Sequence, residues 1–192
     1  MELKLEPART ALVVIDLQRG IVAMPTAPRS SVEVVARAAQ LAKALRAAGG
    51  TVVLVRVTPS PDGKDSLRPI TDALVQAGGP SLQPEWSEIV PELKPEITDI
   101  VITKRQWGAF YGTELDLQLR RRDIDTIILC GILTTVGVES TARDAFERGY
   151  NQVFVEDAMA AREAADHVHT VGTIFPRIGR VMSTEEVLAA LK

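Results

Sequence analysis

The chain has 192 residues, of which 46% are hydrophobic and 24% are charged, and its formal net charge is −3. This balance argues against nucleic acid or an anionic membrane as the main partner. The first ten residues show no signal-peptide pattern and no apolar run has the length of a membrane span, so a cytoplasmic, reducing setting is expected. The length predicts a single domain over residues 1–192, and the one cysteine, Cys130, excludes an internal disulfide.

Six apolar runs rich in β-branched residues predict six β-strands. They occupy residues 10–16, 51–57, 99–103, 126–130, 151–155 and 180–183. The runs are almost continuously apolar, as expected of strands that are buried on both faces of a parallel sheet. Segments with helical periodicity separate them. The sequence therefore predicts an α/β protein, a three-layer α/β/α sandwich with an open, mainly parallel six-stranded, Rossmann-like sheet.

Helices are predicted from apolar spacing and from capping residues. Ser30 with Glu33 matches a capping box at the start of a helix that ends before Gly49. Further helices are predicted over residues 114–122, 136–148, 162–173 and 184–191. Residues 58–96 carry seven of the eleven prolines, which is typical of a lid or binding loop. Within this segment we expect a short helix over 67–76 and a packing role for Trp86.

Three chemically distinctive features follow the carboxyl ends of predicted strands, where ligands bind in open α/β sheets. Asp16 ends the first strand, Lys104 follows the third, and the turn from Gly131 to Gly137 follows the fourth. A carboxylate can transfer protons, and an ammonium can hold that carboxylate or stabilise negative charge on a substrate. Glycine in the first turn of a helix costs about 1 kcal/mol relative to alanine. We therefore predict a shared site in which the space at position 137 is left open.

Three stretches also carry a family resemblance. They read ALVVIDLQ at residues 11–18, ITKRQWGAFYGTELD at 102–116 and LCGILTTVGVESTARDAFERGY at 129–150. In content, order and spacing they resemble the isochorismatase-like hydrolases, also called the cysteine hydrolase superfamily. The resemblance implies the same three-layer fold, a small-molecule substrate, no cofactor, and a homodimer or higher homo-oligomer.

The resemblance also implies the catalytic residues and exposes one departure. Most members use an aspartate, a lysine and a cysteine, and the first two match Asp16 and Lys104. The cysteine falls six residues after the glycine that ends the fourth strand, and here that position is Gly137. The nucleophile is therefore missing. The isochorismatases proper resemble this pattern with a glycine there, and they hydrolyse a vinyl ether to release pyruvate.

By that resemblance, Asp16 is the proton donor and Lys104 orients it. Burial raises the pKa of a carboxyl group and a neighbouring ammonium lowers it, so the sequence leaves the protonation state of Asp16 open. Two alternatives also stay open. One is a catalytically inactive ligand-binding or regulatory member. The other is an amide or ureide hydrolase with an unrecognised nucleophile, for which Cys130 is a weak candidate because a small buried core residue is the usual reading.

The remaining candidates for the site lie near these residues in the sequence. The predicted substrate-binding residues are Gln18, Trp107, Phe110, Tyr111, Leu133 and Thr134. The aromatic side chains form either a wall for a planar ligand or packing against the lid or a subunit interface, and Gln18 either lines the pocket or lies beside it. The resemblance further implies a cis peptide between Ile132 and Leu133.

A metal site is not expected. Nicotinamidases, which the superfamily includes, bind a metal through an aspartate and two histidines after the second strand, where this chain reads TPSPDGKD. The two histidines, His167 and His169, lie two residues apart on a predicted helix and so face different directions.

Overall fold

A computed structural model describes residues 4–72 and 83–191, and its centre is one parallel β-sheet. The strands are β1 (Thr10–Ile15), β2 (Thr51–Val57), β3 (Ile100–Lys104), β4 (Thr126–Ile132), β5 (Asn151–Ala160) and β6 (Arg180–Met182). They lie in the order β3-β2-β1-β4-β5-β6, and every neighbouring pair is parallel. The predicted six-stranded sheet is confirmed.

Helices cover both faces of this sheet. They are α1 (Arg19–Val22), α2 (Ser31–Ala47), α3 (Leu115–Arg120), α4 (Glu139–Glu147), α5 (Ala164–His169) and α6 (Thr184–Ala190). Alternate residues of β1 point to opposite sides: Leu12 and Val14 pack in the cluster that holds α2, whereas Val13 and Ile15 pack in the cluster that holds α3 and α4. Two apolar layers on one sheet confirm the three-layer α/β/α sandwich.

Several predicted boundaries differ from the structure. β4 continues through Gly131 to Ile132, and the following helix begins as a wide turn of π-type at Thr134 before it becomes α4. β5 continues past Val155 to Ala160. Residues 67–72 of the predicted short helix are not helical, and the rest of that prediction lies outside the described residues.

The long extension of β5 pairs with the end of β4 and carries ion pairs to residues far away in the sequence. Glu156 and Asp157 interrupt the apolar run, and they form ion pairs with Arg29 and Arg37 at 2.9 Å each. The strand therefore passes two charged residues and carries its carboxyl end to the same edge of the sheet as the other strands. This continuation decides which residues reach the site.

The order in which successive strands are added to the sheet reverses between β1 and β4, and this topological switch point is where ligands bind in this class of fold. Gly131 pairs with Ile15 there, and a Cβ at Gly131 would lie 2.1 Å from the Ile15 carbonyl oxygen. Its φ of 121° also favours glycine. The ends of β1 and β4 therefore approach each other closely, as the site prediction requires. No helix within residues 4–72 and 83–191 is long and apolar enough to cross a membrane.

Candidate active site

Asp16 and Lys104 form a buried ion pair at the carboxyl edge of the sheet. The Lys104 Nζ lies 2.8 Å from Asp16 Oδ2, and it also donates a hydrogen bond to the Trp107 carbonyl oxygen at 2.6 Å. Only 5% of Asp16 and 2% of Lys104 is exposed. The two residues predicted to share a site are therefore in direct contact, and the rest of the protein shields the pair from water.

The surroundings of Asp16 favour its protonated form more than those of an ordinary aspartate. Burial raises the pKa of Asp16 to about 6, although the charge and hydrogen bond of Lys104 act in the opposite direction. The second carboxyl oxygen, Oδ1, is buried and has no hydrogen-bond partner among the described residues. The two oxygens of Asp16 thus differ, because Lys104 holds Oδ2 whereas the hydrogen-bonding capacity of Oδ1 is unused among the described residues.

Gly137 lies against this ion pair. A Cβ built at this position would be 2.8 Å from Ile15 Cγ2, 3.0 Å from Asp16 Oδ2 and 3.4 Å from Lys104 Nζ. The Gly137 carbonyl oxygen accepts a hydrogen bond from Thr141 Oγ1 at 2.6 Å. Ile15 and Asp16 therefore already occupy the volume that a side chain at position 137 would need, so glycine allows the ion pair to lie where it does.

We expect Gly137→Ala to lower both stability and turnover. Ile15 is fully buried and branched at Cβ, so it has little room to move, and overpacking of this kind typically costs about 1–3 kcal/mol. Relief by movement of Asp16 would disturb its contact with Lys104. Urea denaturation and a turnover assay measure the two effects.

The matched control for this substitution is Gly172→Ala, because a Cβ at Gly172 meets no atom within 4 Å. The control should keep wild-type turnover and have at least wild-type stability, because alanine is favoured over glycine in a helical segment. Wild-type behaviour of Gly137→Ala would show that the space beside Asp16 is not as restricted as the geometry indicates.

A cavity of about 280 Å³ opens over Asp16, Lys104 and Gly137. Much of its described wall is apolar, formed by Ile21, Met24, Val57, Trp86, Trp107, Ile132, Leu133 and Val136. Polar groups are contributed by Ser66, Gln106, Arg105 and Arg162. The arrangement fits a small molecule with an apolar body and a few polar groups.

Two of the predicted substrate-binding residues, Trp107 and Leu133, line this cavity, whereas Gln18 does not. The Gln18 Oε1 accepts a hydrogen bond from Val57 N–H at 2.8 Å, and its Nε2 donates to the carbonyl oxygens of Val57 at 2.9 Å and Trp86 at 3.3 Å. Since both the oxygen and the nitrogen of its amide bind backbone atoms, Gln18 holds the backbone of the lining residues Val57 and Trp86 without lining the cavity itself.

Phe110, Tyr111 and Thr134 also lie outside the cavity lining. Phe110 is buried beside Tyr150, with ring centroids 5.7 Å apart, and Tyr111 is 75% exposed. Thr134 is fully buried, and its hydroxyl is hydrogen-bonded to His167 Nδ1 at 2.9 Å. The expected aromatic wall therefore contains Trp107 from this group, together with Trp86 from the proline-rich segment.

Trp86 reaches the cavity because a glycine makes room for it. A Cβ at Gly20 would lie 2.0 Å from Trp86 Cδ1, so the indole occupies the space that a side chain would fill. The packing role predicted for Trp86 is thus observed, and the same ring faces the cavity.

Cys130 is unsuited to replace the missing nucleophile. It is fully buried in the core, and burial raises the pKa of its thiol to about 12. A reactive thiolate needs an accessible, electropositive setting, which this position lacks. His167 is buried and His169 is exposed, so they face different directions as predicted. Residues 4–72 and 83–191 contain no group of side chains suited to hold a metal ion.

The Ile132–Leu133 peptide is cis, as the resemblance implies. Fold and site together define an α/β protein with an acid–ammonium pair at the switch point of a parallel sheet. Residues 10–186 match the Isochorismatase domain, and the chain belongs to the isochorismatase family of hydrolases.

Three similar proteins match between 80% and 100% of the chain. The isochorismatase family protein YecD of Escherichia coli O157:H7 is 52% identical over 190 residues, which cover 98% of this chain and 100% of YecD. An isochorismatase family protein from Burkholderia thailandensis has a solved structure that is 46% identical, covers 100% of this chain and 99% of its own, and superimposes with a TM-score of 0.94. The ureidoacrylate amidohydrolase RutB of Methylobacterium radiotolerans is 33% identical over 192 residues, covering 80% of this chain and 68% of RutB.

Proposed function

We propose that this hydrolase cleaves a small anionic molecule by acid–base catalysis at Asp16, without a cysteine nucleophile. The observation that carries the proposal is that position 137, directly against the Asp16–Lys104 pair, has no side chain and no free room for one. A covalent mechanism needs a side chain there to attack the substrate, and the chain's one cysteine is in the core. Hydrolysis of a vinyl ether, which needs a proton donor and water, is the reaction we favour.

The proposed reaction uses the two oxygens of Asp16 differently. Protonated Oδ1 donates its proton to the vinyl carbon, and the electrons of the double bond form the new C–H bond. The resulting oxocarbenium ion adds water, which returns a proton to the Asp16 carboxylate, and the neutral hemiketal collapses to pyruvate and an alcohol. Lys104 holds Oδ2 at 2.8 Å, so it aims Oδ1 and stabilises the carboxylate that remains after proton transfer.

A second candidate is hydrolysis of an amide or ureide, supported by the similarity to a ureidoacrylate amidohydrolase. In that reaction the ionised form of Asp16 would act as a base and activate a water molecule in the cavity that Asp16 lines. The two candidates thus require opposite protonation states of the same carboxyl group.

An assay of released products tests the proposal. We expect pyruvate from vinyl ethers such as isochorismate, detected by coupled reduction to lactate, and no ammonia from amides and ureides such as ureidoacrylate. Release of ammonia alone would support the second candidate. Absence of all turnover, with a concentration-dependent rise in melting temperature on adding a vinyl ether, would identify a ligand-binding member instead.

The pH dependence of kcat/KM separates the two chemistries. Because the pKa of Asp16 is about 6, its protonated fraction falls as pH rises through that value. We therefore expect kcat/KM for a vinyl ether to decrease about tenfold per pH unit above pH 6. An increase over the same range would show that the ionised form is active and would contradict acid catalysis by Asp16.

A further inference from the structure

Three cationic side chains line the cavity, and two of them already have carboxylate partners. Lys104 contacts Asp16 at 2.8 Å, and Arg105 pairs with Asp65. The recorded contact of Arg162 is with the sulfur of Met24, at 3.6 Å. Within residues 4–72 and 83–191, Arg162 is therefore the cavity-lining cation that has no carboxylate partner.

The backbone that carries Arg162 is held in place. Its neighbour Ala161 is fully buried and exchanges two backbone hydrogen bonds with Ala27, at 2.8 and 2.9 Å. Arg162 thus follows the end of β5 from a braced position, although its side chain is exposed to the cavity mouth. The guanidinium at the end of this side chain carries donors in a planar fork that matches the geometry of a carboxylate.

The order of the strands places Arg162 away from the reacting groups. Asp16 ends β1, and β5 lies two strands beyond it, which corresponds to roughly 10 Å at the usual strand spacing. The apolar side chains of Met24, Leu133 and Val136 line the cavity that joins the two ends. The cavity therefore has a proton donor at one end, an unpaired cation at the other, and an apolar surface as part of its wall.

We propose that Arg162 binds a carboxylate at the end of the ligand remote from Asp16, with the apolar or planar body of the ligand lying between Arg162 and Asp16. This inference rests on the proposed function, since it assigns the substrate class of the same site. A carboxylate matches the bidentate geometry of a guanidinium, and binding one there breaks no existing ion pair. Binding at Arg105 would displace Asp65, and binding at Lys104 would displace Asp16.

Benzoate and benzamide provide a matched pair of probes, because they share a planar apolar body and differ in charge. Isothermal titration calorimetry measures their affinities for the wild-type protein, Arg162→Gln and Arg162→Lys. The control is Arg177→Gln, an exposed arginine outside the cavity lining. We expect wild type and the control to prefer benzoate at least tenfold, Arg162→Gln to lose that preference, and Arg162→Lys to retain part of it.

Two results would overturn the assignment: wild-type protein that does not prefer benzoate, or Arg162→Gln that prefers it as strongly as wild type does. These binding data are independent of turnover. If Asp16-dependent turnover occurs while the preference for benzoate does not require Arg162, the assignment fails alone. If Arg162 controls the preference for benzoate but substitution of Asp16 does not change turnover, the catalytic proposal fails and the anion site stands.

Discussion

Asp16→Asn should lower kcat by about three orders of magnitude, within the 10²–10⁴-fold range typical of a lost general acid. The amide keeps the size of the carboxyl group, but its N–H protons are not acidic enough to protonate a vinyl carbon. Among the described residues that line the cavity, no other side chain has a carboxyl group. None of them can therefore replace Asp16 as the proton donor. Initial rates of pyruvate release at pH 6 measure the effect.

The matched control for Asp16→Asn is Asp166→Asn, which makes the same chemical change at an exposed position on α5. It should have wild-type kcat. Circular dichroism and the melting temperature of both variants separate lost chemistry from lost fold. If folded Asp16→Asn keeps more than about a tenth of wild-type turnover, another group supplies the proton and the proposed mechanism is wrong.

Lys104→Met should destabilise the protein, and more at pH 8 than at pH 5. Removing one partner of a buried ion pair commonly costs about 3–5 kcal/mol, because the other charge stays buried without compensation. Burial raises the folded-state pKa of Asp16 above the value of 3.8 for an exposed aspartate, and Lys104 opposes that rise. Without Lys104 the folded-state pKa rises further.

The sign of the pH effect follows from that shift. Between the unfolded pKa near 3.8 and the folded pKa, the native state binds more protons than the unfolded state. The contribution of Asp16 protonation to the stability of the native state is therefore complete below this window and is lost as pH rises through it. Urea denaturation of Lys104→Met at pH 5 and pH 8 measures the difference in the free energy of unfolding.

The double variant Asp16→Asn/Lys104→Met provides the decisive comparison. It replaces the ion pair by two uncharged side chains, so it should be more stable than Lys104→Met at pH 8 and show little of the same pH dependence. Lys43→Met, at an exposed position on α2, is the control for loss of a lysine. Equal losses at both pH values, or a double variant no more stable than Lys104→Met, would contradict a buried, coupled pair.

The fold and the centre of the site could be predicted because their signals are local. Runs of aliphatic residues identify buried strands, and Asp16 and Lys104 attract notice because each interrupts or follows such a run. The parallel sheet then brings their strand ends to one edge. Gly137 could be placed in the same site because its distance from Gly131 matched a known motif, and the structure puts it in contact distance of both partners.

The cavity wall was harder to predict because it depends on the direction of side chains and on distant contacts. Thr134 and Phe110 are close to the site in sequence, but one binds His167 and the other packs in the core. Arg162 was missed because the predicted fifth strand stopped at Val155. The ion pairs of the extended part of β5 join it to residues more than a hundred positions earlier, and no local pattern indicates them.

Gln18 connects Asp16 to the part of the cavity wall that Val57 and Trp86 form. It follows Asp16 by two residues, and its amide is hydrogen-bonded to the backbone of Val57 and Trp86. The Trp86 ring lies against Gly20, so it is held from behind as well. The span between the reacting oxygen and the indole is therefore set before a ligand arrives. The distance between the two walls of the cavity therefore limits the length of the ligand. A ligand of another length would require a substitution in the wall.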